Sequence, residues 1–303
     1  MRSIIAIRTN KWTAEEERLL AALQPVFGQD IAVVFHDRPA DVAPPVDVID
    51  LNVDWVKGNG LAILPDWGWR CGDYSHYALR AARPGYDYYW LVEPDVFFTS
   101  SPEGFFAAFA AAREDALGYR LGRFDKENRF TRGLPGMAHY RAIFALTRFS
   151  AKAVDHLFAQ RAKMALNPIS TTNYPNDEIF CFSHLAAEAD LSWGRLEDYA
   201  PDWFHEVRFD VDPDLLFDQV VAATPPGRVL HPVRQRAIYK QALGRRLTAN
   251  TGILMNIREA LNMFDASDVE DVATEAANQV RRAITDLQAR RALRRKRQEA
   301  RRK

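Results

Sequence analysis

Short apolar runs alternate with helically spaced segments along the first hundred residues. The run IIAI at 4–7 predicts a buried strand, and Thr13 with Glu16 forms a capping box opening a helix that reaches about Leu23. IAVVF at 31–35 and VDVIDL at 46–51 predict the next two strands. A helix fits residues 73–82, stopped by Pro84 and Gly85, and YYWLV at 88–92 predicts a fourth strand. Ser101-Pro102-Glu103 marks another helix start, with proline at its first position. Strand and helix in this alternation predict a mostly parallel sheet covered on both faces, with ligands at the carboxyl ends of its strands.

The second half is less regular. Residues 142–162 predict a strand running directly into a helix, and Asn176 is an N-cap for the helix that follows. VLHPV comes after the turn Pro225-Pro226-Gly227. From about Gly252 only helical spacing remains. Ser267 and Glu270 form a second capping box, and Ala273, Ala276, Val280, Ala283 and Leu287 keep alternating spacings of three and four. The expected organisation is one catalytic domain at 1–245 and a helical C-terminal extension at 246–303.

Composition excludes several classes. The longest strongly apolar stretch, FFAAFAAA at 105–112, is far below the roughly 20 residues a membrane-spanning helix needs. Arg8 interrupts the N-terminus too early for a secretory signal. Cys71 and Cys181 are too few for a disulfide framework or a thiolate zinc site, so a cytoplasmic location is expected. The net charge of zero is a cancellation. Residues 281–303 hold eleven Arg/Lys against two acids, a charge of +9, and the preceding residues carry −9.

The stretch DYYWLVEPDVFF at 87–98 carries the most chemistry. An apolar strand ends there in Glu93 and Asp95, flanking Pro94. Two carboxylates about 5 Å apart repel by on the order of 3 kcal/mol at an effective dielectric near 20. A hard cation such as Mn²⁺ or Mg²⁺ would relieve that repulsion, because both favour carboxylate oxygens. Two solvated acids at a strand end is the other reading, and the residues alone leave both open.

These motifs together resemble the GT-A-fold nucleotide-diphospho-sugar glycosyltransferases of bacteria. YYWLVEPDVFF resembles their acidic metal motif, and WRCGDYSHYALRAARPGYDYYW the helix leading into it. RGLPGM (132–137) is similar to the glycine-bearing loop over donor and acceptor, PNDEIF (175–180) to the helix start that supplies a base, and VLHPVR (229–234) to a C-terminal metal-binding histidine segment. The resemblance covers roughly residues 1–240. It implies a GT-A-like, Rossmann-like α/β fold and transfer of a sugar from a nucleotide-diphosphate donor to a glycan or lipid-linked acceptor of cell-surface polysaccharide type. It further implies Mn²⁺ or Mg²⁺ on Asp95, His231 and Glu93, the first acid being Glu where Asp is more usual. Glu178 falls at the base position and Asp177 at the acceptor-binding one. Arg8, Thr9 and Asn10 at the end of the first strand, Asp37 and Arg38 after the second, and Asp73 and Arg80 before the metal strand fall at donor positions.

Trp67 and Trp69 suit stacking on a sugar or base, or core packing. Two alternatives accompany this reading: a catalytically inactive binding or scaffold protein of the same fold, and a sugar nucleotidyltransferase. The second is disfavoured because no glycine-rich loop follows the first strand. No P-loop or dinucleotide fingerprint is present. The segment Arg290–Lys303 is expected to contact an anionic membrane surface peripherally. It contains no aromatic residue, so no specific nucleic acid is expected.

Overall fold

A computed structural model of the chain describes residues 1–167, 170–211, 214–249 and 264–300. The chain divides into two compact units, Met1–Val211 with Thr224–Pro232, and Asp212–Ala223 with Val233–Lys303.

In the first unit β1 (Ser3–Thr9), α1 (Ala14–Phe27), β2 (Ile31–His36) and β3 (Asp47–Leu51) follow the expected order. The short helices α2 (Val53–Gly58) and α3 (Trp67–Arg70) precede α4 (Tyr74–Ala82), which leads into β4 (Tyr88–Val92) and β5 (Phe97–Phe98). Then come α5 (Glu103–Ala107), β6 (Ala116–Arg123), β7 (Tyr140–Ser150), α6 (Ala151–Leu166), α7 (Asp177–Ala187), β8 (Trp193–Arg195) and α8 (Leu196–Tyr199). Seven strands form one sheet in the order β3-β2-β1-β4-β7-β6-β8. β3, β2, β1 and β4 are mutually parallel, and β7 enters antiparallel to both β4 and β6. The fold is the expected α/β arrangement, a mostly parallel sheet flanked by helices.

The strands read as unbroken apolar runs because both faces are covered. Ile4, Ala6, Ala32, Val34, Tyr89 and Leu91 face one core with Tyr74, Tyr77, Leu157 and Phe180. Their neighbours Ile5, Ile7, Val33, Phe35, Trp90 and Val92 face the other with Leu19, Leu23 and Phe105. This period-two alternation leaves the strand ends as the part of the sheet free for polar chemistry. Thr13 and Glu16 cap α1 as expected, and the helix runs on through Pro25. Ser150 caps α6 at the strand-to-helix join read from the sequence.

The second unit contains β9 (Leu215–Leu216) and α9 (Phe217–Ala223). The chain returns to the first unit for β10 (Val229–Leu230), then continues in the second as β11 (Val233–Arg234), α10 (Arg236–Ala249) and α11 (Ala266–Ala300). The expected division after residue 245 falls inside α10. Leu216, Tyr239, Leu243 and Val272 form the core of this unit, and Arg236 and Lys240 both pair with Asp268. α11 starts one residue before Ser267. Asp265 caps it, accepting the Asp268 amide at 2.9 Å. The side chains of Arg290–Lys303, expected at a membrane, lie outside the described residues. No helix among the described residues is long and apolar enough to cross a membrane.

Candidate active site

β4 ends at Val92, whose neighbours across the sheet are Ile7 on one side and Leu146 on the other. The Glu93 amide is still held by the Ala145 carbonyl at 2.8 Å, and a turn closes from Val96 N–H to the Glu93 carbonyl at 3.1 Å. That turn carries both acids to the carboxyl edge of the sheet. β5 then pairs antiparallel with β10, setting Phe98 against Val229 and Phe97 against Leu230. This register delivers the next residue of the returning chain, His231, beside Asp95. Two very short strands therefore assemble the cluster from distant parts of the sequence.

His231 Nε2 lies 3.5 Å from Asp95 Oδ1 and 3.6 Å from Glu93 Oε2. Ligand atoms of the three residues all fall within 4.8 Å of one another, the one such group of His, Cys, Asp and Glu among the described residues. Asp95 and His231 are buried, and Glu93 is partly exposed. His231 Nδ1 is 2.6 Å from the Asp210 carbonyl. As a donor there it fixes the ring and directs Nε2 at the acids, the outer support that metal-binding histidines commonly have. Burial alone would lower the His231 imidazole, but Asp95 and then Glu93 outweigh it and raise it to about 10. Burial likewise works against the Glu93 carboxylate, yet Arg8 and His231 prevail and lower it. The site thus attracts positive charge. Two carboxylates and an oriented imidazole fit Mn²⁺ or Mg²⁺, with Mn²⁺ the better match to the nitrogen donor.

Beside this cluster, Arg8 Nη1 contacts Glu93 Oε1 at 3.2 Å and Asp177 Oδ2 at 3.3 Å. Asp177 is the first residue of α7. Its Oδ2 also accepts the Gly72 amide at 3.0 Å, and its Oδ1 the Glu178 amide at 2.8 Å. Burial, only partly offset by Arg8, pushes the Asp177 carboxyl up to about 8. Glu178 is held through Oε2 by Arg141 at 3.1 Å and Asn176 at 3.4 Å. Burial raises it too, against the lowering effect of Arg141. Because β7 is antiparallel, its first residues, including Arg141, reach the same edge of the sheet as the end of β4.

The other expected donor residues are placed as follows. Thr9 is buried, donating to Glu16 at 2.7 Å and so tied to the α1 cap. Asn10 is exposed just beyond it, and Asp37 is exposed at the end of β2 with φ near 50°. Arg38 makes a two-pronged pair with Asp50 at 2.7 and 2.8 Å. Asp73 is sealed in the core against Arg161, both fully buried. Arg80 pairs with Asp155 and donates to the Tyr89 hydroxyl near the start of β4, towards the opposite end of the strands. It lines a cavity of about 340 Å³ there with Trp55 and Phe158. Trp67 is buried edge-on to His36, whereas Trp69 is 59% exposed. Trp69 leans on Phe130, and its carbonyl lies 3.5 Å from Arg8 Nη2. In the glycine-bearing loop, Gly133 packs so closely on Asn173 that a Cβ would meet that carbonyl at 2.1 Å.

Arg141, Gly72 and Asp210 belong to this constellation but carry no signal in the sequence. An isolated arginine at a strand start, a glycine in a short turn and a backbone carbonyl look the same wherever they occur.

No known protein-family model matches the chain, and no curated protein matches it. Solved structures of similar arrangement exist. The apo form of mouse xyloside xylosyltransferase 1 is 9% identical with a TM-score of 0.39, over 76% of this chain and 96% of that one. A Bacillus anthracis protein described as a glucose-1-phosphate thymidylyltransferase, in complex with a sucrose, is 13% identical with a TM-score of 0.37, over 64% and 86%. Mannose-1-phosphate geranyltransferase from Thermus thermophilus is 13% identical with a TM-score of 0.33, over 72% and 82%. At these scores nothing about activity is carried over from them.

Proposed function

We propose that the first unit is a metal-dependent glycosyltransferase that moves a sugar from a nucleotide-diphosphate donor to a glycan or lipid-linked acceptor. The observation that carries this reading is the convergence of Glu93, Asp95 and an oriented His231 at the carboxyl edge of a mostly parallel sheet. Mn²⁺ or Mg²⁺ bound there supplies stabilisation of the negative charge that develops on the leaving diphosphate. The nucleoside lies against the ends of β1 and β2, where Asn10 and Asp37 are exposed.

Glu178 is the base. Oε2 is taken by Arg141 and Asn176, while Oε1 accepts no hydrogen bond among the described residues. Its carboxyl is raised by burial, which makes it a better proton acceptor than a solvated carboxylate. It takes the acceptor hydroxyl proton as that oxygen bonds to the anomeric carbon. The bond from that carbon to the diphosphate breaks, and its electron pair leaves with the nucleoside diphosphate. A single displacement of this kind inverts the anomeric centre. Asp177 has oxygens engaged by Gly72, Glu178 and Arg8, and it holds the helix start in place.

The test is turnover of UDP- and GDP-sugars by the purified full chain, with Mn²⁺ and with chelator. Asp95→Asn is expected to lower metal-dependent turnover by roughly 100-fold or more while the chain stays folded by circular dichroism, with a melting temperature lowered because buried His231 loses its partner. Nucleotide binding without turnover by the wild-type protein would favour the inactive binding protein. Calorimetry showing no nucleotide binding in the presence of Mn²⁺ would refute the proposal.

A further inference from the structure

We propose that Arg8 is a positioning residue, not a donor ligand: it clamps the start of α7 to the acidic centre, and Gly72 is kept side-chain-free to admit it. This rests on the glycosyltransferase reading for its catalytic consequence, though not for the clamp itself.

The geometry is specific. The Arg8 side chain leaves the end of β1 and is 13% exposed. One nitrogen, Nη1, serves two carboxylates from different elements, Glu93 after β4 and Asp177 at the start of α7. Nη2 reaches back to the Trp69 carbonyl at 3.5 Å, and the guanidinium lies 6.0 Å from the Phe144 ring centre. Both terminal nitrogens are therefore engaged by the protein. Asp177 in turn accepts the Gly72 amide, so β1, the turn before α4, α7 and the end of β4 are joined through one cation.

Gly72 is what makes room. A Cβ there would stand 1.7 Å from Arg8 Nη1 and 2.3 Å from Asp177 Oδ2, well inside contact distance. Any other residue displaces the ion pair while leaving every charge in the site. The atoms met are the far ends of two side chains, so the main chain need not move and the fold can survive.

The consequence concerns Glu178, the residue next to Asp177. With Arg8 in place, the separation between the metal carboxylates and the base is fixed by a charged link and does not depend on helix packing alone. Glu93 is also shared, one oxygen with Arg8 and the other beside His231. Asp95 and His231 are then the principal metal ligands, and Glu93 connects the two halves of the site.

Three variants of the full chain test this: Gly72→Ala, Arg8→Lys and Arg8→Met. Misplacing a reacting group by about 1 Å costs on the order of 100-fold, so Gly72→Ala is expected to lower kcat roughly 30- to 100-fold. KM for the nucleotide sugar stays within about threefold, because donor binding is not what is lost. Arg8→Lys keeps the charge and recovers part of the kcat lost in Arg8→Met. Amide exchange at residues 177–181 speeds up about tenfold in Gly72→Ala, as the first turn of α7 loses its anchor. A tenfold rise in KM with kcat retained in the Arg8 variants would show that Arg8 holds donor, and would overturn the proposal. Unchanged exchange at residues 177–181 would overturn it as well. If the wild-type chain turns over no nucleotide sugar, the glycosyltransferase reading fails. The clamp then stands or falls on the exchange measurement alone.

Discussion

Replacing Asp73 by Asn separates two roles for a residue that lies close to the site yet is sealed from it. Arg161 binds Asp73 through two parallel contacts, Nε to Oδ2 at 2.7 Å and Nη2 to Oδ1 at 3.0 Å, and both side chains have 0% exposure. Tyr77 donates to the same Oδ2 at 2.6 Å, and the guanidinium lies 3.6 Å above the Phe180 ring. Asn preserves the shape but leaves Arg161 as an unpaired buried cation. An arginine cannot escape that penalty by losing its proton, since it stays charged under all working conditions. Breaking a buried pair from one side costs about 3–5 kcal/mol. For a unit of this size each kcal/mol is worth about 2–4 °C, so a fall in melting temperature of roughly 6–20 °C is expected. The assay is thermal and urea unfolding of the full chain, paired with KM measured well below the transition. KM should stay within about twofold. A double Asp73→Asn, Arg161→Gln variant, neutral on both sides, should regain at least about 1 kcal/mol of the loss. A destabilisation under about 1 kcal/mol combined with a raised KM would refute this account and return Asp73 to the donor pocket.

Other expectations are as direct. His76 is fully buried, with Nε2 on the Thr147 hydroxyl at 2.9 Å, and burial followed by Arg8 pushes its imidazole down to about 3. The unfolded chain takes up a proton near pH 6.5 at this residue that the folded one refuses, so the contribution of His76 to stability is full above that pH. That contribution falls by about 1.4 kcal/mol per unit between about pH 6.5 and 3. Urea titrations of His76→Gln against wild type should show that slope missing from the variant, and parallel acid limbs would refute it. Arg80→Ala removes an exposed pair with Asp155 and should cost less than about 1 kcal/mol while leaving KM unchanged; a raised KM would restore its donor role. Ala at Gly68 would place a Cβ 2.2 Å from His36 Cε1, so Gly68→Ala should destabilise by roughly 1–3 kcal/mol in thermal unfolding.

The parallel strands were legible because burial on both faces writes them as continuous apolar runs, IIAI, IAVVF and YYWLV. Glu93 and Asp95 stood out for the same reason, as charges that close such a run. His231 carried no periodic signal, since β5 and β10 are two residues each and their pairing cannot be read from so short a pattern. The roles around α4 were harder still. Asp73 and Arg80 lie seven residues apart, about two turns along one face of the helical segment leading to β4. What separates them is their partners, Arg161 and Asp155, which lie far along the chain. A sequence window records neither. The capping boxes show a local version of this limit. Thr13 with Glu16 closes as written, but at α11 Asp265, two residues upstream, accepts the Asp268 amide and Ser267 is drawn into the helix.

The brief return of the chain through Thr224–Pro232 also orders events during synthesis. Glu93 and Asp95 are made early, within the segment that forms most of the sheet. Their imidazole partner emerges only after the chain has passed through part of the second unit and come back. On the proposed metal reading, a nascent chain stopped at residue 211 would hold both acids but not the histidine, and would bind a cation more weakly than one that has passed residue 231. The three-residue cluster is therefore completed late in synthesis, after most of the sheet has been made.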